Sequence, residues 1–249
     1  GINLLMESLR ACREPAFITA VGSCRVIAAA YNRDPELLRQ KTRAILLVAG
    51  SVRSSGNPDY NTKLDPHAMR CVWESGLPIW WLPVGGNEGF HNLYAPNNGH
   101  VAAPYSTLLE GLDDRLLNWF LHALWGNLRG DIIRALYEAN RYEIFRERIG
   151  EGRRNLFSLG GLVLLAGREL VATPDGWRFL PNGKAPDTWT RKEMGFVPVA
   201  TQLLDDFNVG IEPTTEEAAH VRIFQREPGE DENEAMTEAF NALLRSIRL

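Results

Sequence analysis

Ala44-Ile45-Leu46-Leu47-Val48-Ala49-Gly50 is a continuous apolar run of strand length that stops on a glycine. A strand with one wet face alternates polar and apolar residues; a run apolar on both faces fits a strand covered on both sides, as in a parallel sheet between helical layers. Two similar runs flank it: Phe17-Ile18-Thr19-Ala20-Val21, closed by Gly22, and Pro78-Ile79-Trp80-Trp81-Leu82-Pro83-Val84. The chain between them reads as helix. Leu4, Leu5, Ser8, Leu9 and Cys12 recur at helical spacing before Pro15, and Ser23 opens a helix through Ala28 and Tyr31. Asp34-Pro35 and Asp65-Pro66 each place a capping carboxylate ahead of a proline at the first helical position. The second of these leads an apolar stripe of Ala68, Met69, Val72 and Trp73 that Gly76 ends. Strands alternating with helices predict an α/β fold, a doubly wound, mostly parallel, Rossmann-like sheet. Ligands of such sheets sit outside the carboxyl ends of the strands, which points to the loops after Val21 and Ala49.

Farther along the pattern is less regular. Gly85 to Pro104 reads as a long loop holding His91, Asn97-Asn98-Gly99 and His100, and long loops in compact domains tend to be functional. Extra helices follow in the C-terminal half, near Asp113–Trp125 and Asp131–Arg148. The Gly160-Gly161 pair inside the apolar segment Leu156–Ala166 allows close packing, Val171 to Leu180 suggests a hairpin around Asp175-Gly176, and Val221–Gln225 alternates like a late strand. A last helix spans about Glu232 to Arg248. With no internal repeat, low-complexity block or linker, residues 1–249 read as one domain, a core over 1–85 and a divergent helical and β remainder over 86–249.

Composition excludes several classes. With 27 basic against 31 acidic side chains and a net charge of −4, no nucleic-acid partner is expected. No apolar run approaches the roughly 18–20 residues of a membrane span, so no membrane partner is expected either. Three dispersed cysteines make neither a disulfide framework nor a zinc site. No signal peptide is visible, but a leading Gly1 with Met6 inside suggests a natural start farther upstream, so the compartment stays open. There is no nucleophile elbow and no phosphate-loop spacing.

The richest loop is Asn57-Pro58-Asp59-Tyr60-Asn61-Thr62-Lys63-Leu64-Asp65-Pro66. In an extended segment Asp59 and Asn61 point the same way, and a carboxylate beside an amide can grip vicinal hydroxyls, one accepting and the other donating and accepting. The same residue types also serve in loops by bonding their own backbone. Asp65 and Asp113-Asp114 read as helix caps, and Asp205-Asp206 has no assigned role. His91 and His100 flank the Gly/Asn-rich loop as possible substrate contacts; exposed loop histidines are more often bystanders.

Gly22-Ser23-Cys24-Arg25-Val26-Ile27-Ala28, Arg33-Asp34-Pro35, the apolar strand ending at Gly50, Asp59-Tyr60-Asn61, Asp65-Pro66-His67-Ala68 and Ser75-Gly76-Leu77-Pro78-Ile79 keep an order and spacing that resemble the central part of the inosine-uridine-preferring nucleoside hydrolases, over roughly residues 15–85. The resemblance implies hydrolysis of the N-glycosidic bond of ribonucleosides. It implies a small-molecule ribosyl or sugar ligand and a calcium ion that orients the attacking water. It assigns Asp59 and Asn61 to ribose binding and the Arg25 backbone carbonyl to the metal; a homo-oligomer is a further possibility.

The departures are as informative. The family's aspartate-rich cluster, source of the base and most metal ligands, has no counterpart between Gly1 and Pro15, and no histidine of this chain is followed by aspartate. The residues around Asn155-Leu156-Phe157-Ser158, the loose counterpart of the family's later His-Asp pair, are mostly apolar. Calcium takes six to eight oxygen ligands, so this chain alone is not expected to bind it, and activity is expected only with an N-terminal metal-binding segment supplied. Two alternatives stand beside that reading: an inert sugar- or nucleoside-binding or structural member of the same fold, and a hydrolase of altered chemistry using the His91–His100 loop.

Overall fold

The structure, a computed structural model, describes residues 1–52, 58–85, 95–125, 131–138, 147, 150, 152–215, 219–227 and 229–247. In chain order the elements are α1 (Ile2–Ala11), β1 (Ala16–Ala20), α2 (Arg25–Arg33), α3 (Pro35–Lys41), β2 (Thr42–Val48), α4 (Tyr60–Leu64), α5 (Pro66–Glu74), β3 (Ile79–Leu82), β4 (Val101–Pro104), α6 (Tyr105–Leu108), α7 (Asp114–Trp125) and α8 (Ile132–Glu138). They continue with β5 (Arg153–Leu156), α9 (Leu159–Leu165), β6 (Arg168–Thr173), β7 (Gly176–Pro181), β8 (Arg191–Lys192), β9 (Met194–Leu203), β10 (Val209–Pro213), β11 (Val221–Arg226) and α10 (Glu230–Arg245). The chain divides into two compact units, one of residues 1–100, 157–165 and 194–228, the other of 101–156, 166–193 and 229–249.

The first unit carries a six-stranded sheet in the order β1-β2-β3-β11-β9-β10. The first four strands are mutually parallel; β9 runs antiparallel to β11, and β10 antiparallel to β9. The predicted α/β class and mostly parallel sheet are therefore what the chain forms. The run that decided the reading lies inside the sheet, with Ile45, Leu46 and Leu47 fully buried. One face of the sheet packs on α1, α2, α3 and α5 through Leu9, Ile27, Leu38, Met69 and Val72 against Ile45, Leu47, Ile79 and Trp81. The other face, made of Leu46, Val48, Leu82 and Phe224, is covered by Leu164 and Leu165 of α9. The two glycines of α9 explain the close approach: a Cβ on Gly160 would lie 2.7 Å from Phe224 Cζ, and one on Gly161 2.7 Å from Leu82 Cδ1. Trp81 is buried edge-on against Trp73, while Trp80 lies between Phe17 and Phe196.

Asp34 and Asp65 cap α3 and α5 as predicted, accepting from Leu37 N and Ala68 N. Three features differ from the sequence reading. The stretch from Asp59 to Asn61 does not continue as an extended strand: Asp59, itself extended, is the N-cap of α4, a short helix that begins at Tyr60. The stretch read as a loop to Pro104 ends in β4. The β9–β10 hairpin went unrecognised because Gly195 and Pro198 interrupt its apolar run; Pro198 sits just beyond the last pair with β10, where a missing N–H is tolerated. Asp206 shapes the turn of that hairpin, its carboxylate accepting from the backbone and side-chain amides of Asn208.

In the second unit β4 pairs antiparallel with β5, and β7-β6-β8 form a three-stranded sheet that contains the predicted 171–180 hairpin. Helix α10 packs on β7, β4 and α6. It is anchored by Asn233, which exchanges two hydrogen bonds with the backbone of Ala102, and by Asn241, which donates to the carbonyls of Leu108 and Glu110.

Candidate functional site

Strand β2 ends at Val48, and Gly50 turns the chain with a positive φ of 78° that an L side chain rarely adopts. Space enforces the same choice, since a Cβ there would lie 3.2 Å from Met69 Cε. The Gly50 amide donates to Asp59 Oδ2 at 2.6 Å and to Thr62 Oγ1 at 3.2 Å, and Thr62 Oγ1 donates to the same carboxylate oxygen. The other oxygen of Asp59 accepts from the amides of Asn61 and Thr62, the first turn of α4. Asp59, only 1% exposed, thus ties a strand end to a helix start with both oxygens occupied. Asn61 Nδ2 donates to Val48 O at 2.7 Å, and Trp81 Nε1 donates to Ala49 O, so the carbonyls at the end of β2 are held by side chains as well.

Expected as a matched pair on one face, Asp59 and Asn61 have different roles in the structure. The Asp59 carboxylate is spent on backbone and hydroxyl donors; Asn61, half-buried, is anchored through its amino group and keeps its carbonyl oxygen directed by that anchor. Thr62 completes the knot, and sequence reasoning missed it. The signal lay in the cap: an aspartate at the N-cap accepts from the amide of the third helical residue, which here is Thr62.

Arg25 is the first residue of α2, so its backbone carbonyl lies in the opening turn, where the amide four residues on takes it. Its side chain reaches across instead, Nε to Asp65 Oδ2 at 2.8 Å and Nη2 to Leu64 O at 3.0 Å. That guanidinium, with the Ala68 amide, holds the Asp65 carboxyl below the usual carboxylate range. Between these groups lies Cys24, buried; burial pushes its thiol up to about 12, and the carboxylates of Asp59 and Asp65 add to the rise.

Two strands over, at the carboxyl ends of β3 and β11, a second polar group gathers. Arg226 N donates to Pro96 O and its Nη2 to His100 O, Asn97 Nδ2 donates to Phe224 O, and Asn98 Oδ1 accepts from His100 N. The His100 ring stacks on Phe157 with centroids 5.0 Å apart, and His100 is buried rather than on an exposed loop. His100 therefore shares the carboxyl edge of the sheet with Asp59 and Asn61, whereas His91 lies outside the described residues.

The calcium ion implied by the resemblance does not fit these donors. Asp59 has no oxygen to spare, the Arg25 carbonyl is in a helix, and the Arg25 guanidinium already brings positive charge to Asp65. Among the described residues no three His, Cys, Asp or Glu side chains gather where one cation would touch them all. Among the same residues no helix is long and apolar enough to cross a membrane.

No protein-family model matches the chain. In sequence it is similar to a pyrimidine-specific ribonucleoside hydrolase of Citrobacter koseri, 28% identical over 135 residues, covering 51% of this chain and 42% of that protein. It is also similar to an uncharacterized protein of Schizosaccharomyces pombe, 32% identical over 122 residues, 47% of this chain and 36% of the other. In fold it is similar to a plant nucleoside hydrolase, with a TM-score of 0.54 at 17% identity, covering 96% of this chain and 66% of that one. These matches span less than half the length of the curated relatives.

Proposed function

We propose that this chain, a divergent and partial member of the nucleoside hydrolase family, presents the ribose-binding edge of a site that hydrolyses the N-glycosidic bond of ribonucleosides. The remaining groups of that site belong to the part of the fold this sequence does not cover. The observation that carries the reading is the likeness to a pyrimidine-specific ribonucleoside hydrolase over 135 residues. The fold likeness to a plant nucleoside hydrolase agrees with it.

Within that reading Asn61 meets the ribose hydroxyls through its carbonyl oxygen, its amino group being anchored on Val48 O. Asp59 is a positioning residue: it fixes the turn at Gly50 and the first turn of α4, and so the direction of Asn61. No step assigned to these residues uses a metal ion.

Uridine and ribose titrated against the melting temperature test the proposal. A ligand bound only by the folded state stabilises it by about 2.7 kcal/mol at a hundred times its dissociation constant. The expected result is a saturable rise with uridine that Asn61→Ala removes without lowering the unliganded melting temperature by more than a few degrees. A flat response, or a rise that Asn61→Ala leaves intact, overturns it.

A further inference from the structure

Phe207, in the turn between β9 and β10, has a backbone φ of 61°, and among the described residues no other residue except glycine has a positive φ. A bulky L side chain takes that left-handed shape only against strain, where glycine or asparagine would take it with less. Strained residues persist where their surroundings over-determine them, and they cluster at functional sites. The ring accounts for the choice. It lies beneath the Arg70 guanidinium, whose carbon stands 5.2 Å from the ring centroid, and it meets the His67 ring edge-on at 6.5 Å. Both partners belong to α5. Arg70 Nη2 also donates to Leu204 O at 3.3 Å, and farther along α5 Trp73 Nε1 donates to Thr201 Oγ1 at 3.2 Å. The hairpin is thus fastened along α5, and its turn is closed by bonds from Phe207 N to Leu204 O and from Leu204 N to Asn208 O.

The strand that leaves this turn reaches the end of β2. Val209 N donates to Ser51 O at 2.9 Å, and Val52 and Val209 face each other in a single parallel bridge, both buried. Ser51 and Val52 directly follow Gly50, whose amide donates to Asp59 and Thr62. On the other side the chain after β3 holds the same segment, with Val84 N donating to Gly50 O and Val52 N to Gly85 O. Gly50 to Val52 is therefore gripped twice, once by its neighbours in the sheet and once by a hairpin whose turn is held in a strained shape.

We infer that Phe207 is a positioning residue for the sugar-facing edge: its turn, pinned to α5 by Arg70, fixes Ser51 and Val52, and with them the Gly50 turn on which Asp59 and Asn61 are set. The inference rests on the ribose reading above. Asn61 bonds Val48 O rather than the hairpin, so a ligand at Asn61 leaves the hairpin where it is. The hairpin acts as a fixed clamp, not as a lid.

Uridine is titrated into the full chain and into Phe207→Leu, Phe207→Tyr and Arg70→Met, with backbone amide resonances and melting temperature followed in each. Leucine keeps an apolar side chain but loses the ring beneath Arg70, and methionine at position 70 removes the cation from the other side of the same contact. Expected in both is a uridine dissociation constant raised about threefold or more, because a smaller share of molecules holds the competent edge. The Ser51 and Val52 amide resonances shift in both variants before uridine is added. Phe207→Tyr keeps the ring, and with it the affinity and resonances of the parent. A lowered melting temperature with unchanged affinity in Phe207→Leu and Arg70→Met makes the turn merely structural and overturns the inference, as does equal weakening in Phe207→Tyr. Should Phe207→Leu fail to fold, Arg70→Met carries the same test. Uridine bound with one affinity by all four chains sinks only this inference. A parent that binds no uridine, with Ser51 and Val52 still shifted in the variants, sinks the ribose reading and leaves the clamp.

Discussion

Strands β1 and β2 lie side by side in one sheet and end in opposite ways. At the end of β2 the polar groups are tied together: Asp59 takes four donors, Asn61 and Trp81 hold the carbonyls of Val48 and Ala49, and Gly50 supplies the backbone shape that lets them meet. At β1, among the described residues, one side of the strand has no partner strand, and Val21 directly after it faces water. The difference teaches where the sheet places its hydrogen bonds: a closed polar knot fixes the geometry at the end of β2, and the outer side of β1 has no such ties among the described residues.

The comparison predicts unequal costs. Asp59→Ala removes a helix cap and strands the buried Gly50 amide and Thr62 hydroxyl, so stability in urea should fall by about 3 kcal/mol. On β1, Thr19→Lys should stay within about 0.5 kcal/mol, because Thr19 is exposed. Equal losses at the two sites would break the contrast. Gly161→Ala, on the sheet face opposite α2, drives a methyl into Leu82 and Leu46 and should cost about 2 kcal/mol in the same denaturation experiment. A neutral result would mean that α9 does not pack as described.

The smallest effect concerns Asp65. Its folded pKa is depressed by Arg25 and the Ala68 amide, so it contributes stability above the ordinary carboxylate range, and that contribution disappears as pH falls through its folded value. Asp65→Ala should therefore cost about 1 kcal/mol near neutrality, most of it the lost cap, since the Arg25 pair is largely exposed. The gap between variant and parent should close as the solution is taken below about pH 4. A gap that widens in acid would reverse the assigned sign.

What was legible in the sequence was what neighbours in the chain decide. Asp34-Pro35 and Asp65-Pro66 announced their helices because a cap and a proline act within one turn, and Ile45 to Val48 announced a covered strand because both faces are apolar. What stayed hidden depends on distant partners. The apolar run of β9 is broken by Gly195 and Pro198, and only its pairing with β11 and β10 makes it a strand. The burial of His100 is set by Phe157 and Arg226, which no local pattern links to it. Asp59 is the instructive middle case. Its residue type and place at the mouth of the sheet were readable, but alternation along an extended chain was the wrong rule for residues that begin a helix.

The central claim is that the end of β2 is the sugar-facing edge. Its most direct test is a uridine titration followed through the backbone amide resonances of the chain. The account predicts saturable shifts at Gly50, Asn61 and Thr62, with the β9–β10 hairpin unmoved. Shifts confined to that hairpin, or none at a uridine concentration well above that of any ordinary nucleoside pool, would contradict it.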